Sequence, residues 1–224
     1  ISRALTRKMD IVTGMSTADA IMTVCKRGSV PASLKRFIWD IQSMVELTDS
    51  EREILLIGRD LMTRLVASDD WLSAVFAKAE PGDGAQFQLF SDVLDRFTVV
   101  ATVLSPGASL LIDQSSHWEI AGGLSAAVLR QAYDPIARTK AEARLLRSGE
   151  VETRGSRDAQ SMILSNRAEA QSAISVHVYG GDLGKLARRA WIGEGMAEGQ
   201  SLGYANGESA PPYDIFSIQT EIAD

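Results

Sequence analysis

Short β-branched runs cut by turn residues fill the chain from about residue 86 onward, and this punctuation constrains the fold more than any other feature. Phe97-Thr98-Val99-Val100-Ala101-Thr102-Val103-Leu104 is rich in β-branched residues and too short for a globular helix of its own. Ser105-Pro106-Gly107 supplies a turn after it. Similar runs follow at 109–112, 118–121, 127–133, 161–164 and 174–179, separated by polar or turn segments. Many short strands at this spacing predict an antiparallel barrel or jelly roll. Residues 134–144 fit helix or loop, and the Gly-, Ser- and Pro-rich tail from Gly193 reads as irregular structure wrapping the barrel.

The first third has a different period. Leu34, Phe37, Ile38, Ile41, Met44 and Val45 fall at helical spacing and form one apolar stripe. Thr48-Asp49-Ser50-Glu51 has the form of a capping box opening a second helix, with Ile54, Leu55, Leu61 and Leu65 inward. Ser68 or Asp69 is placed to cap a short third helix through Trp71 to Phe76, and Pro81-Gly82-Asp83-Gly84 breaks the chain. The reading is therefore a helical extension over 1–80 packed on a barrel over 81–224, as one structural unit.

Charge and composition narrow the function. A formal net charge of −6 argues against sequence-independent nucleic-acid binding, which needs clustered Lys and Arg. Cys25 is the single cysteine, so neither an internal disulfide nor a cysteine-type zinc site is available. Residues 1–14 lack the apolar core of a signal peptide, and no segment has the length of a membrane span. The expected compartment is the cytoplasm, with no membrane association. The histidines number two, His117 and His177.

A set of collinear segments then points further. Asp69-Asp70-Trp71-Leu72, Arg96-Phe97-Thr98-Val99-Val100, Ser105-Pro106-Gly107, Trp118, Ile174-Ser175-Val176-His177-Val178-Tyr179-Gly180 and Gly203-Tyr204-Ala205-Asn206 together resemble the bacterial cysteine and 3-mercaptopropionate dioxygenases. The likeness spans roughly residues 30 to 207, and its most specific piece is Ser-x-His-x-Tyr-Gly. It implies a cupin, a double-stranded β-helix or jelly-roll barrel, and a family chemistry in which non-haem Fe(II) and O₂ oxidise a thiol to a sulfinic acid. In the family three histidines hold the iron. The matching positions here are Asp113, Ser115 and Met162. Gln88 is the nearest candidate for the family's carboxylate-holding Arg or Gln, and Glu119 replaces a Gly after the Trp. Ordinary thiol dioxygenation needs three imidazoles from a chain that has two, and the family cofactor is therefore not expected. Ser115 is a poor ligand, and the Met162 thioether suits Cu(I) better than Fe(II).

Two functional readings remain open at this point. One is a non-catalytic cupin, a pseudoenzyme that binds a small polar or anionic molecule, forms a homodimer or associates with an active paralogue. The other is an enzyme of altered chemistry, with Asp113, Glu119, His117 and His177 as replacement metal ligands. Ser175, His177 and Tyr179 share one face of a strand, either lining a pocket with Gln88 and Trp118 or forming an inherited buried network. In the family, the serine and histidine orient the tyrosine hydroxyl. A hydrolase reading is set aside because Ser175 and His177, two apart on a strand, are not expected to present hydroxyl to imidazole in attack geometry and no nucleophile elbow occurs. Gly180-Gly181-Asp182-Leu183-Gly184 reads as a tight turn, since it lacks the context of a phosphate loop. Arg188 and Arg189 after it offer at most an anion contact.

Overall fold

The computed structural model describes residues 30–112, 117–134, 136–158, 160–181, 188–192, 195–196 and 203–206. Two helices lead, α1 (Ala32–Leu47) and α2 (Glu51–Leu65). The strands follow: β1 (Gly84–Ser91), β2 (Thr98–Leu104), β3 (Ser109–Ile112), β4 (Glu119–Ser125), β5 (Ala127–Asp134), β6 (Thr139–Lys140), β7 (Arg144–Arg147), β8 (Val151–Arg154), β9 (Ser161–Ser165), β10 (Ala173–Tyr179), β11 (Arg188–Ile192) and β12 (Gly195–Met196).

Pairing places β1-β2-β10-β4-β8 in one antiparallel sheet and β12-β11-β3-β9-β5-β6 in the other, with β7 also on β5. From β2 to β5 the chain changes sheet at every step, and β8, β9 and β10 do the same. That alternation is the winding of a jelly roll, or double-stranded β-helix, the expected cupin-type architecture. Cross-strand partners share a face, so register fixes what points between the sheets. Val100 lies opposite His177, and His177 lies opposite Ala121. Leu110 lies opposite Leu164, and Arg130 opposite the same leucine. Val100, Tyr179, Leu110, Ile112, Met162, Leu164 and Val128 form the apolar part of this interior.

The opposite face of the five-stranded sheet is covered by the helices. Leu34, Phe37, Ile38, Ile41 and Met44 of α1 are buried, as are Ile54, Gly58, Leu61, Met62 and Leu65 of α2. They join Val99, Ala101, Val103, Ile120, Val176 and Val178 in a single core, so extension and barrel share their packing. Each large aliphatic side chain buried there stabilises the fold by roughly 2 kcal/mol. Glu51 ties the layers together, accepting from the backbone N–H of Ser156 at 3.0 Å and from its hydroxyl.

That contact explains why the expected capping box does not form. The Glu51 carboxylate reaches the barrel instead of turning back. The Thr48 hydroxyl accepts from Ser50 N–H at 3.1 Å and donates to Glu53 at 2.6 Å. The expected third helix is also absent. Only a 3₁₀ turn, Ala74–Phe76, follows α2. The Trp71 indole N–H is held by the carbonyls of Leu65 and Ser68, at 3.0 and 3.1 Å, and closes the end of α2. In place of a helix, residues 136–138 form a turn that leads into the short β6. The tail from Gly193 contributes β12, paired with β11, and Ala205 N–H donates to Gln86 O on β1 at 2.8 Å. Among the described residues no helix is long and apolar enough to cross a membrane.

Gly123 sits where β7 crosses close behind β4. A Cβ there would lie 2.1 Å from the Arg147 carbonyl oxygen, a backbone atom that cannot rotate away. Gly123→Ala is expected to lower the unfolding free energy by about 2 kcal/mol or more in urea denaturation. An unchanged midpoint would show that this approach is looser than described.

Candidate functional site

Strand alternation brings four polar side chains into the barrel interior from both sheets. Ser175 and His177 come from β10, Glu119 from its neighbour β4, and Arg130 from β5 in the facing sheet. All four are buried, Arg130 at 2% exposure and Glu119 at 1%. They form one chain of hydrogen bonds. The Ser175 Oγ–His177 Nε2 distance is 2.8 Å, and His177 Nδ1 lies 2.8 Å from Glu119 Oε1. Arg130 Nη2 donates to Glu119 Oε2 at 2.6 Å. Arg130 Nη1 is 3.5 Å from the half-buried Glu152, and Arg154 lies directly across the strand pair from Glu119.

Protonation follows from these partners. Burial alone would raise the Glu119 carboxyl, but the Arg130 charge and the His177 hydrogen bond outweigh it, so Glu119 stays ionised far below the usual carboxylate range. Burial lowers His177, and Arg130 adds to this against the pull of Glu119. The imidazole is therefore neutral. Its Nδ1–H donates to Glu119, and Nε2 accepts from the Ser175 hydroxyl. Burial disfavours the Arg130 cation too, yet Glu119 and Glu152 hold it charged. Arg154 is pushed down by burial, with Arg130 opposing its charge further.

Residues two apart share a strand face, and the Ser175 hydroxyl there meets the His177 imidazole. Ser175, His177 and Glu119 thus form a hydroxyl–imidazole–carboxylate relay. No member of it is exposed enough for attack on an outside substrate: Ser175 and His177 are fully buried.

The remaining candidates divide. Tyr179 stacks parallel on His177, 5.5 Å between ring centres and 3° between planes. His177 spends both nitrogens on Ser175 and Glu119, so it does not orient the tyrosine hydroxyl as the family pattern implies. Gln88 is interior and buried; its Oε1 has no hydrogen-bond partner among the described residues. Its backbone is held by the Asn206 amide at 3.1 and 2.8 Å. Trp118 packs with the helix-side core instead of lining the interior, because its neighbour Glu119 takes the inward position. Gly180 lies so close to the Trp118 ring that a Cβ would stand 2.2 Å from Nε1.

Met162 faces the interior opposite Ile112 and Ala132. His117 sits against Gly181 at the end of the barrel. Asp113 and Ser115 lie outside the described residues, as do residues 182–187 and the side chains of Arg188 and Arg189. Of the replacement ligand set, Glu119 and His177 meet, and no group of three His, Cys, Asp or Glu among the described residues could hold a metal ion. Both nitrogens of His177 and both oxygens of Glu119 already have partners, and the Arg130 guanidinium stands where a cation would coordinate Glu119. The donor set around this pair does not fit ferrous iron.

Arg130 was not among the residues picked out from sequence. The signal was available, because Val128, Arg130 and Ala132 alternate on the inward face of β5 and an inward arginine requires a buried partner.

No protein-family model matches the chain. Among solved structures it is similar to oxalate oxidase in complex with the substrate analogue glycolate, at 16% identity over 47% of this chain and 55% of that one, TM-score 0.37. It is similar to the Cupin_2 domain of an XRE family transcriptional regulator from Enterobacter cloacae, at 15% over 44% and 97%, TM-score 0.36. A conserved protein with a double-stranded β-helix domain from Klebsiella pneumoniae matches at 12% over 53% and 92%, TM-score 0.39. The chain spans about half the length of the oxalate oxidase it matches.

Two outcomes are expected from the buried network. Arg130→Met leaves Glu119 charged and alone in the interior, and should cost about 3–5 kcal/mol in chemical denaturation; a loss near zero would show that the pair is solvated. Below about pH 6.5 the unfolded chain protonates a histidine that the fold keeps neutral, and below about pH 4.3 it protonates a carboxylate that the fold keeps ionised. Both folded-state pKa values are depressed, so stability should be full above pH 6.5 and fall in two stages on acidification. Thermal midpoints recorded across this range check it, and a midpoint that rises between neutral pH and pH 5 would contradict it.

Proposed function

We propose that this chain is a thiol-dioxygenase-like cupin that has lost its iron site and serves as a non-catalytic barrel binding a small polar molecule. The observation that carries the reading is the Glu119–Arg130 ion pair, a resident cation on the carboxylate that meets His177. Iron would have to displace a charged, 2.6 Å hydrogen bond to reach Glu119, and would have to take an imidazole nitrogen from Ser175 or Glu119. Met162, at the third family position, presents a thioether among apolar neighbours, a weak donor for Fe(II). Of the segments that resemble the thiol dioxygenases, 98–100 and 174–179 lie in the core strands β2 and β10, which fits retention of the barrel without its metal chemistry.

Metal analysis and oxygen uptake test this together. Protein from iron-supplemented growth is expected to hold iron far below one atom per chain, and to consume no O₂ with cysteine or 3-mercaptopropionate. Stoichiometric iron, or thiol-dependent O₂ uptake above a buffer control, would overturn the reading.

A further inference from the structure

The two sheets part between β5 and β8, and a cavity of about 560 Å³ opens there. Its inner wall is made by Arg130, Ala132 and Met162 from one sheet and by Glu152 and Arg154 from the other. Arg59, Arg144 and Arg157 stand on the rim with Glu142 and Asp158. Five arginines thus face three carboxylates, in a chain whose net charge is −6. A local reversal of sign inside a concave, low-dielectric mouth concentrates anions.

The wall has a second property. Arg130 is buried, and among the described residues its Nε–H has no hydrogen-bond partner. Glu119 satisfies only Nη2 of that guanidinium at short range, with Glu152 at 3.5 Å from Nη1. Arg154 spends Nη2 on a neutral acceptor, the Asp158 carbonyl, at 2.6 Å. Both guanidiniums lie near the buried Glu119, Arg130 bonded to it and Arg154 opposite it across the strand pair.

We propose that this mouth is the binding site of a small metabolite carrying a carboxylate or phosphate group, with the oxyanion seated against Arg154 and Arg130. Guanidinium forks pair with either group through parallel charge-assisted hydrogen bonds. The volume suits a small ligand. Ala132 and Met162 provide an apolar surface for its carbon skeleton. The inference deepens the small-molecule reading above by giving the ligand a class and a place, and rests on that reading in needing Arg130 to remain a resident cation. Burial disfavours the Arg154 cation, and an anion seated beside it would favour the charged form.

Inorganic phosphate and succinate serve as probes, titrated into the full chain by calorimetry at low salt and followed by thermal shift. One or both should bind saturably and raise the melting temperature. Preference for phosphate points to a phosphorylated ligand, and preference for succinate to a carboxylate. Arg154→Gln should weaken binding by roughly tenfold or more, with the melting of the anion-free variant recorded to show that it is folded. Arg144→Ala, on the exposed rim, keeps the packing intact and should weaken binding to a smaller extent. Lack of saturable binding of either probe would overturn the proposal, as would affinity unchanged in both variants. Iron content of the same sample reports separately on the lost metal site, so failure of that reading is seen independently.

Discussion

The Glu119–Arg130 pair is the contact on which the interior of this barrel depends. It joins the facing sheets, β4 to β5, at a point where both side chains are out of water. A charge in such a place is costly alone, and the pair is tolerable because each oxygen of Glu119 accepts one strong hydrogen bond. His177 is then held neutral and in one tautomer, and Ser175 follows from His177. The order of dependence runs from the ion pair outward, and every polar side chain in the relay has its protonation set by the one before it.

This arrangement separates the two faces of β10. Ser175, His177 and Tyr179 look into the barrel, and Val176 and Val178 look towards the helices. The strand is buried on both faces, yet its sequence still alternates, because the inward face carries the polar relay and the outward face packs on the helices. The helices supply what the barrel lacks on that side. Gly58 and Gly122 allow α2 to approach the sheet so closely that a Cβ at either position would strike Ile120 or Met62.

Much of the fold was legible because its core strands announce themselves. Residues 98–104, 109–112 and 173–179 carry dense β-branched or apolar runs bounded by turns, and they are strands within a residue of where the pattern puts them. β7 and β8 were not legible. Arg144–Arg147 and Val151–Arg154 are polar strands at the open side of the barrel, where charge replaces alternation. The site was half legible. His177 and Glu119 stand together in the expected ligand set, but their direct hydrogen bond is not legible, since 58 positions separate the two. Arg130 is farther from notice still, because its meaning lies in the partner across the interior. Thr48 misled for the opposite reason: a local capping pattern was overridden by the long reach of Glu51 to Ser156.

The central claim is that a neutral His177, bridged to an ionised Glu119 that Arg130 holds, fills the place a metal centre would need. NMR of the imidazole nitrogens at neutral pH, recorded before and after anaerobic addition of Fe(II), tests it most directly. The account expects a buried imidazole protonated on Nδ1 alone, with signals unchanged by the metal. An imidazolium, or resonances of His177 broadened away by bound Fe(II), would contradict it.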